Sequence, residues 1–231
     1  MDFYGFYTGK EFEAYRFLGA HACERGTVFR TFAPNAQRIS LIGEFNGWQE
    51  TPMQKVHDGN FWECYVENAG KGMMYKYKIY GADGSCIDHC DPYGFYSELR
   101  PNNASIIYDT TDYHFTDSEW MKKRSVQKDA PLNIYEIHFG SWRKKDDKDA
   151  EGWYTYREMA DLLIPYLNEN GYNYVELMPL SEHPCDESWG YQQTGFFSPT
   201  SRYGTADDLK KMVDLFHQNG IGLILDFVPG H

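Results

Sequence analysis

The chain has 231 residues and a formal charge of -12, from 34 acidic and 22 basic side chains. That imbalance argues against nucleic acid and anionic membranes as partners, because a polyanion would be repelled, and a neutral ligand fits better. Aromatic residues make up 17 % of the chain, including 19 Tyr and 6 Trp; most such rings serve cores and sheet faces, while exposed ones can stack on the flat apolar faces of sugars.

Residues 1–22 read as an aromatic-rich lead-in segment in which only Tyr15–Gly19 is strand-like. Over residues 23–110 the pattern is all short strands: Thr27–Ala33, Gln37–Gly43, Asn60–Glu67, Met74–Tyr80 and Ser105–Tyr108. The clearest is Met74–Tyr80, with Tyr75, Tyr77 and Ile79 on one face and Lys76 and Lys78 on the other. Pro34-Asn35, Asn46-Gly47, Asp58-Gly59 and Asp83-Gly84 supply turns. Short strands at this spacing predict an antiparallel β-sandwich. Apolar density then falls and charge rises through residues 111–131, a connector that ends in Lys122–Arg124 and Gln127-Lys-Asp129.

Residues 132–231 change period. Three apolar runs, Asn133–Phe139, Tyr172–Leu180 and Gly222–Val228, alternate with two amphipathic helical patterns, which predicts parallel βα units with strands buried on both faces. A charged loop, Lys144–Glu151, follows the first run. The first helix opens on the capping box Thr155-x-x-Glu158 and presents Met159, Leu162, Leu163, Tyr166 and Leu167, with Pro165 expected to bend it. The second opens on Thr205-x-x-Asp208, presents Leu209, Met212, Val213 and Phe216, and closes at Asn219-Gly220.

In parallel sheets chemistry collects at the carboxyl ends of strands, where Glu176, Asp226 and His231 sit or follow. Asp226 could accept bonds from paired hydroxyls and His231 could donate to another oxygen, which suits a polyol. The plain alternative is that Asp226 caps a loop and His231 is a chain terminus. Tyr191, in Trp189-Gly-Tyr-Gln192, is placed to stack on something entering that mouth, or is a structural loop ring. Glu182-His-Pro-Cys-Asp186 matches no zinc spacing. The five cysteines, Cys23, Cys64, Cys86, Cys90 and Cys185, form no CxxC pair, and Cys86-x-x-x-Cys90 with His89 lacks a second ligand pair, so no metal and no other cofactor is expected. Reduced thiols, the absence of a signal-like N-terminus and the absence of a membrane-length run predict a cytoplasmic protein.

Ile134-Tyr-Glu-Ile-His-Phe-Gly-Ser-Trp142, Val175-Glu-Leu-Met-Pro-Leu-Ser-Glu-His-Pro184, Ser188–Gln192, Pro199–Gly204 and Leu225-Asp-Phe-Val-Pro-Gly-His231 together resemble the branching enzymes of the α-amylase family. Upstream, Gly43-Glu-Phe-Asn-Gly-Trp48 and Asp91-Pro-Tyr93 resemble that family's N-terminal carbohydrate-binding module. The resemblance implies a β-sandwich module followed by the first three βα units of an incomplete (β/α)8 barrel. It also implies an α-1,4-glucan or glycogen partner, and a retaining transfer that makes α-1,6 branches. By the same resemblance Asp226 and His231 line the sugar subsite beside the scissile bond, Tyr191 packs on that sugar, and Trp48 matches a surface ring that stacks on glucan in related modules. The family's catalytic carboxylates come from later strands, so no catalytic residue is expected here and the chain alone is expected to be inactive. It then reads as the truncated N-terminal part of such an enzyme. The alternatives are a glycogen-binding module that stands alone, and a subunit completed by a C-terminal polypeptide.

Overall fold

The computed structural model describes residues 1–110, 113–124, 129–145 and 151–230. The expectations placed on Gln127, Lys128, His231 and residues 146–150 of the charged loop lie outside the described residues. The chain divides into two compact units, Met1–Asp109 with Thr194–Ser198, and Thr110–Gln193 with Pro199–His231.

The first unit opens with helix α1 (Phe3–Tyr7) and strands β1 (Gly19–Cys23), β2 (Gly26–Phe32), β3 (Arg38–Gly43), β4 (Thr51–Pro52) and β5 (Gln54–Val56). Strands β6 (Phe61–Glu67), β7 (Met74–Tyr80), β8 (Cys86–His89) and β9 (Ser105–Ile106) follow. They form two antiparallel sheets, one ordered β1-β2-β6-β5 and the other β4-β3-β7-β8, with β9 also paired to β7. Phe29, Trp62 and Cys64 from the first sheet meet Ile39, Leu41, Tyr75 and Tyr77 from the second in one core, as a sandwich requires. Met74–Tyr80 forms as expected; β1, β4, β5 and β8 carried no signal, because they are short or lie at sheet edges where one-sided alternation is weak.

The N-terminal residues add a third layer. Phe3, Phe6, Phe17, Ala14 and Leu18 gather on the outer side of the first sheet around Phe61, which is fully buried. Phe3 and Phe6 meet the Phe61 ring edge-on at 5.1 and 5.4 Å. Residues Ala14–Arg16, which overlap the start of the piece read as strand-like, instead make a 3-10 turn, and the strand begins at Gly19.

The chain continues through α2 (Ser118–Lys123), β10 (Ile134–Ile137), α3 (Phe139–Trp142), α4 (Tyr156–Glu169), β11 (Tyr174–Leu177), β12 (Ser181–Glu182), β13 (Gly195–Pro199), α5 (Ala206–Gln218) and β14 (Gly222–Leu225). In the second unit β10, β11 and β14 lie parallel in that order, with Glu136 opposite Glu176 and Ile224. Val175 and Leu177 are fully buried in a cluster with Met159, Leu163, Leu167, Met212 and Phe216 from α4 and α5. The strands were expected to be buried on both faces; β11 is buried only on its helix-facing side, and Leu225 of β14, on that same side, is 56 % exposed. Tyr174 and Glu176 are half-buried and Glu136 is exposed, because no second layer covers that side among the described residues.

Both capping boxes form. Thr155 accepts the Glu158 amide while Glu158 accepts the Thr155 amide at 2.8 Å, and Thr205 with Asp208 does the same. Pro165 is accommodated within a continuous α4: it and Asp161, whose carbonyl loses its partner, are both exposed, so water can serve that oxygen. The Lys145 ammonium, 2.8 Å away, and the Thr155 amide hold the Glu158 carboxyl down to about 2. Its contribution is therefore full above the unfolded value near 4.3 and is lost as pH falls through about 2. Thr155→Ala should cost about 1 kcal/mol, read as faster amide exchange across α4, and acidification through that window should reproduce part of the loss.

The stretch Tyr113–Lys123 lies against α5 through polar groups. Asp214 accepts bonds from the Tyr113 hydroxyl and from the Thr116 amide and hydroxyl at 3.1, 3.0 and 2.8 Å. Asp117 meets His217 at 2.6 Å, and Trp120 stacks on the His217 ring at 3.7 Å.

Candidate functional site

The candidate site lies at the carboxyl end of the parallel strands, where the sequence placed it. Asp226 follows β14 directly and its amide donates to the Leu177 carbonyl of β11 at 3.0 Å, so the strand ladder itself fixes its backbone. The Tyr191 hydroxyl donates to Oδ2 of Asp226. That bond, with desolvation and the nearby carboxylates of Asp226, Glu136 and Glu176, pushes the phenol up to about 12. Tyr191 thus stays a proton donor over any physiological pH, and Asp226 keeps its second oxygen for another hydroxyl.

The loop that carries Tyr191 is held from below. The Arg202 side chain, 1 % exposed, sends Nε and Nη2 to Oδ1 of Asp186 at 2.8 and 2.6 Å and Nη1 to Glu182 at 2.8 Å. Glu182 also accepts the Thr200 hydroxyl and the Ser201 amide and hydroxyl at 3.1, 2.8 and 2.8 Å. Both carboxylates of Glu182-His-Pro-Cys-Asp186 are thereby engaged with one guanidinium, and His183 turns Nδ1 to the Ser181 carbonyl at 2.9 Å. Above this anchor, residues 186–188 form a 3-10 turn, and the Tyr191 amide returns to the Ser188 carbonyl at 3.0 Å. Gly190 has φ 90°, and a β-carbon there would collide with the Pro179 carbonyl, so only glycine lets the loop lie this close.

Trp48 belongs to the first unit. The Asn46 side chain ties its turn by accepting the Gly43 amide at 3.0 Å and donating to the Leu41 carbonyl and the Thr51 hydroxyl at 3.1 and 2.9 Å. Trp48 follows with φ 61° and is 42 % exposed as a residue, an apolar side chain presented on a tied turn. Of the four expected site residues, then, the structure joins Tyr191 to Asp226, places Trp48 in the other unit, and leaves His231 outside the described residues. The Arg202 anchor escaped sequence reading because its partners lie 16 and 20 residues away, outside any local pattern.

Carbohydrate-binding module 48 (isoamylase N-terminal domain) matches residues 17–94, and the alpha amylase catalytic domain matches residues 146–231. The chain is 48 % identical over 239 aligned positions to the 1,4-alpha-glucan branching enzyme GlgB of Bacillus caldolyticus, covering 100 % of itself and 35 % of that protein. It is 46 % identical to the enzyme of the same name from Geobacillus stearothermophilus, covering 37 % of it. A crystal structure of a Salmonella typhimurium protein assigned as an alpha amylase superposes with a TM-score of 0.70 at 27 % identity, over 91 % of this chain and 32 % of that one. The chain spans about a third of the length of the relatives it matches. Over its whole length the chain is similar to part of the 1,4-alpha-glucan branching enzymes GlgB, with a match to carbohydrate-binding module 48 followed by one to the alpha amylase catalytic domain.

Proposed function

We propose that this chain supplies the glucan-gripping part of a 1,4-α-glucan branching enzyme, whose reaction moves an α-1,4-glucan segment to a 6-hydroxyl and creates an α-1,6 branch. The observation that carries the reading is the Tyr191 hydroxyl bonded to Asp226 at the mouth of the parallel strands. It offers a phenol ring and a free carboxylate oxygen side by side, the pairing that a sugar face and its hydroxyls require. Asp226 and His231 would hold the glucosyl unit beside the cleaved bond, Tyr191 would pack on it, and Trp48 would stack on glucan at the module surface. Retaining transfer needs a nucleophilic and an acid/base carboxyl about 5–5.5 Å apart, and we assign neither role to a residue described here. The uncovered side of β10-β11-β14 suits completion by further strands, on this polypeptide or a separate one. Five free cysteines favour a reducing, cytoplasmic setting, and no described helix is long and apolar enough to cross a membrane.

Tyr191→Ala and Asp226→Ala should each weaken maltooligosaccharide binding about tenfold, or 1.4 kcal/mol, in calorimetric titrations. Retention by glycogen in co-sedimentation should fall with Trp48→Ala. Unchanged affinity in both site variants would remove the strand-end site. An iodine-stain assay that found new branches made by the 231-residue chain itself would overturn a purely gripping role.

A further inference from the structure

We propose that Trp189 forms a second sugar-stacking subsite beside Tyr191, so that the mouth of the parallel strands engages more than one glucosyl unit. The inference rests on the strand-end reading above and extends it along the glucan. Trp189 sits two residues before Tyr191 on the same anchored loop, and its backbone is left-handed, with φ 56°. For a bulky residue that conformation is unfavourable, and it persists here because the neighbouring residues leave no freedom. Its amide donates to the Asp186 carbonyl at 3.1 Å, Asp186 is gripped by the buried Arg202, the Ser188 hydroxyl donates to the Cys185 carbonyl at 2.7 Å, and Gly190 is pressed on Pro179. So much restraint is spent on a ring that packs on little: Trp189 is 58 % exposed.

Its position gives the restraint a use. The Trp189 ring lies 6.5 Å from the ring of His138, the residue that follows β10. Tyr191 is bonded to Asp226, the residue that follows β14. Strands β10 and β14 are separated by β11, so the two ends are about 10 Å apart at ~4.8 Å per strand step. That distance suits two non-adjacent glucosyl rings of one oligosaccharide lying across the strand ends. A strained, exposed aromatic at such a place is the signature of a residue kept for contact with a ligand, since folding alone would favour glycine there.

The test separates ligand contact from structure. Trp189→Gly relieves the left-handed strain and removes the ring, while Trp189→Phe keeps a ring. Affinities for maltose and for maltohexaose are measured by calorimetry on the 231-residue chain carrying Trp48→Ala, which removes the ring proposed to hold glucan in the first unit. The gain in affinity on lengthening the ligand should shrink about tenfold in Trp189→Gly and recover in part in Trp189→Phe, while the melting temperature of Trp189→Gly is unchanged or raised. A length-dependent gain that survives Trp189→Gly overturns the proposal. So does a melting temperature that falls in step with affinity, which would make Trp189 structural. Binding insensitive to Tyr191→Ala, or absent altogether, sinks the strand-end reading itself; binding sensitive to Tyr191→Ala and insensitive to Trp189→Gly sinks only the second subsite.

Discussion

Arg202→Ala should destabilise the second unit by about 3–5 kcal/mol, the cost of stranding a buried carboxylate without its countercharge. Glu182 is the group stranded: its side chain is 7 % exposed, and once the guanidinium is gone the Thr200, Ser201 and His183 donors, all uncharged, stay with it. Asp186, at 41 %, can turn to water and adds little. Arg202→Lys should recover only part of the loss, because one ammonium cannot reach two carboxylates in the directions a guanidinium spans. Glu182→Gln removes the stranded charge, so in the Arg202→Ala background it should cost less than it does alone, with a coupling of about 0.5–3 kcal/mol. Native-state hydrogen exchange at the amides of β11 and α5 measures these differences within the unit concerned. The same substitution should loosen Tyr191, and its phenol should then titrate below the value of about 12 that its bond to Asp226 now imposes.

What could be seen in the amino-acid order was local. Met74–Tyr80 declares a two-sided strand by alternation, and Thr155 and Thr205 declare helix starts because a capping box closes within four residues. Asp226 could be placed because a strand of apolar residues ends beside it. What could not be seen depends on partners far along the chain. Phe3, Phe6 and Phe17 have no period of their own, and their purpose is apparent only when Phe61 and Phe32 turn out to share the outer side of a sheet. Tyr113, Thr116 and Asp117 read as polar connector residues because their attachment to α5, about 100 residues later, is made by hydrogen bonds that leave no hydrophobic pattern. The Arg202 anchor was hidden for the same reason, and Glu182 and Asp186, whose spacing already matched no zinc site, had no role in the sequence reading because their shared partner lies further along the chain.

Asp91→Ala should cost about 3–5 kcal/mol in the first unit, each buried polar group left unpaired contributing about 1–3 kcal/mol. Asp91 is 2 % exposed. Its Oδ2 accepts the Tyr75 and Tyr77 hydroxyls at 2.7 and 3.0 Å, and its Oδ1 accepts the Tyr93 amide at 2.8 Å. Tyr75 and Tyr77 point the same way because they are two apart on β7, and burial holds both phenols well above their usual range, so they remain donors. Truncation strands two hydroxyls and an amide at once. Asp91→Leu with Tyr75→Phe and Tyr77→Phe removes the donors together with the acceptor, and should be less damaging than Asp91→Ala alone, since an apolar replacement of both partners carries a much smaller penalty. Exchange rates at the β7 amides decide the order. Asp91-Pro-Tyr93 is one of the motifs by which the module is recognised, yet its carboxylate is spent on the core and has no oxygen facing a ligand. Glycogen retention by Asp91→Ala, corrected for the folded fraction, should therefore match the wild type, whereas Trp48→Ala should lose retention with stability intact. If the two variants behaved the other way round, the exposed tryptophan would be structural and the buried aspartate would belong to the binding site.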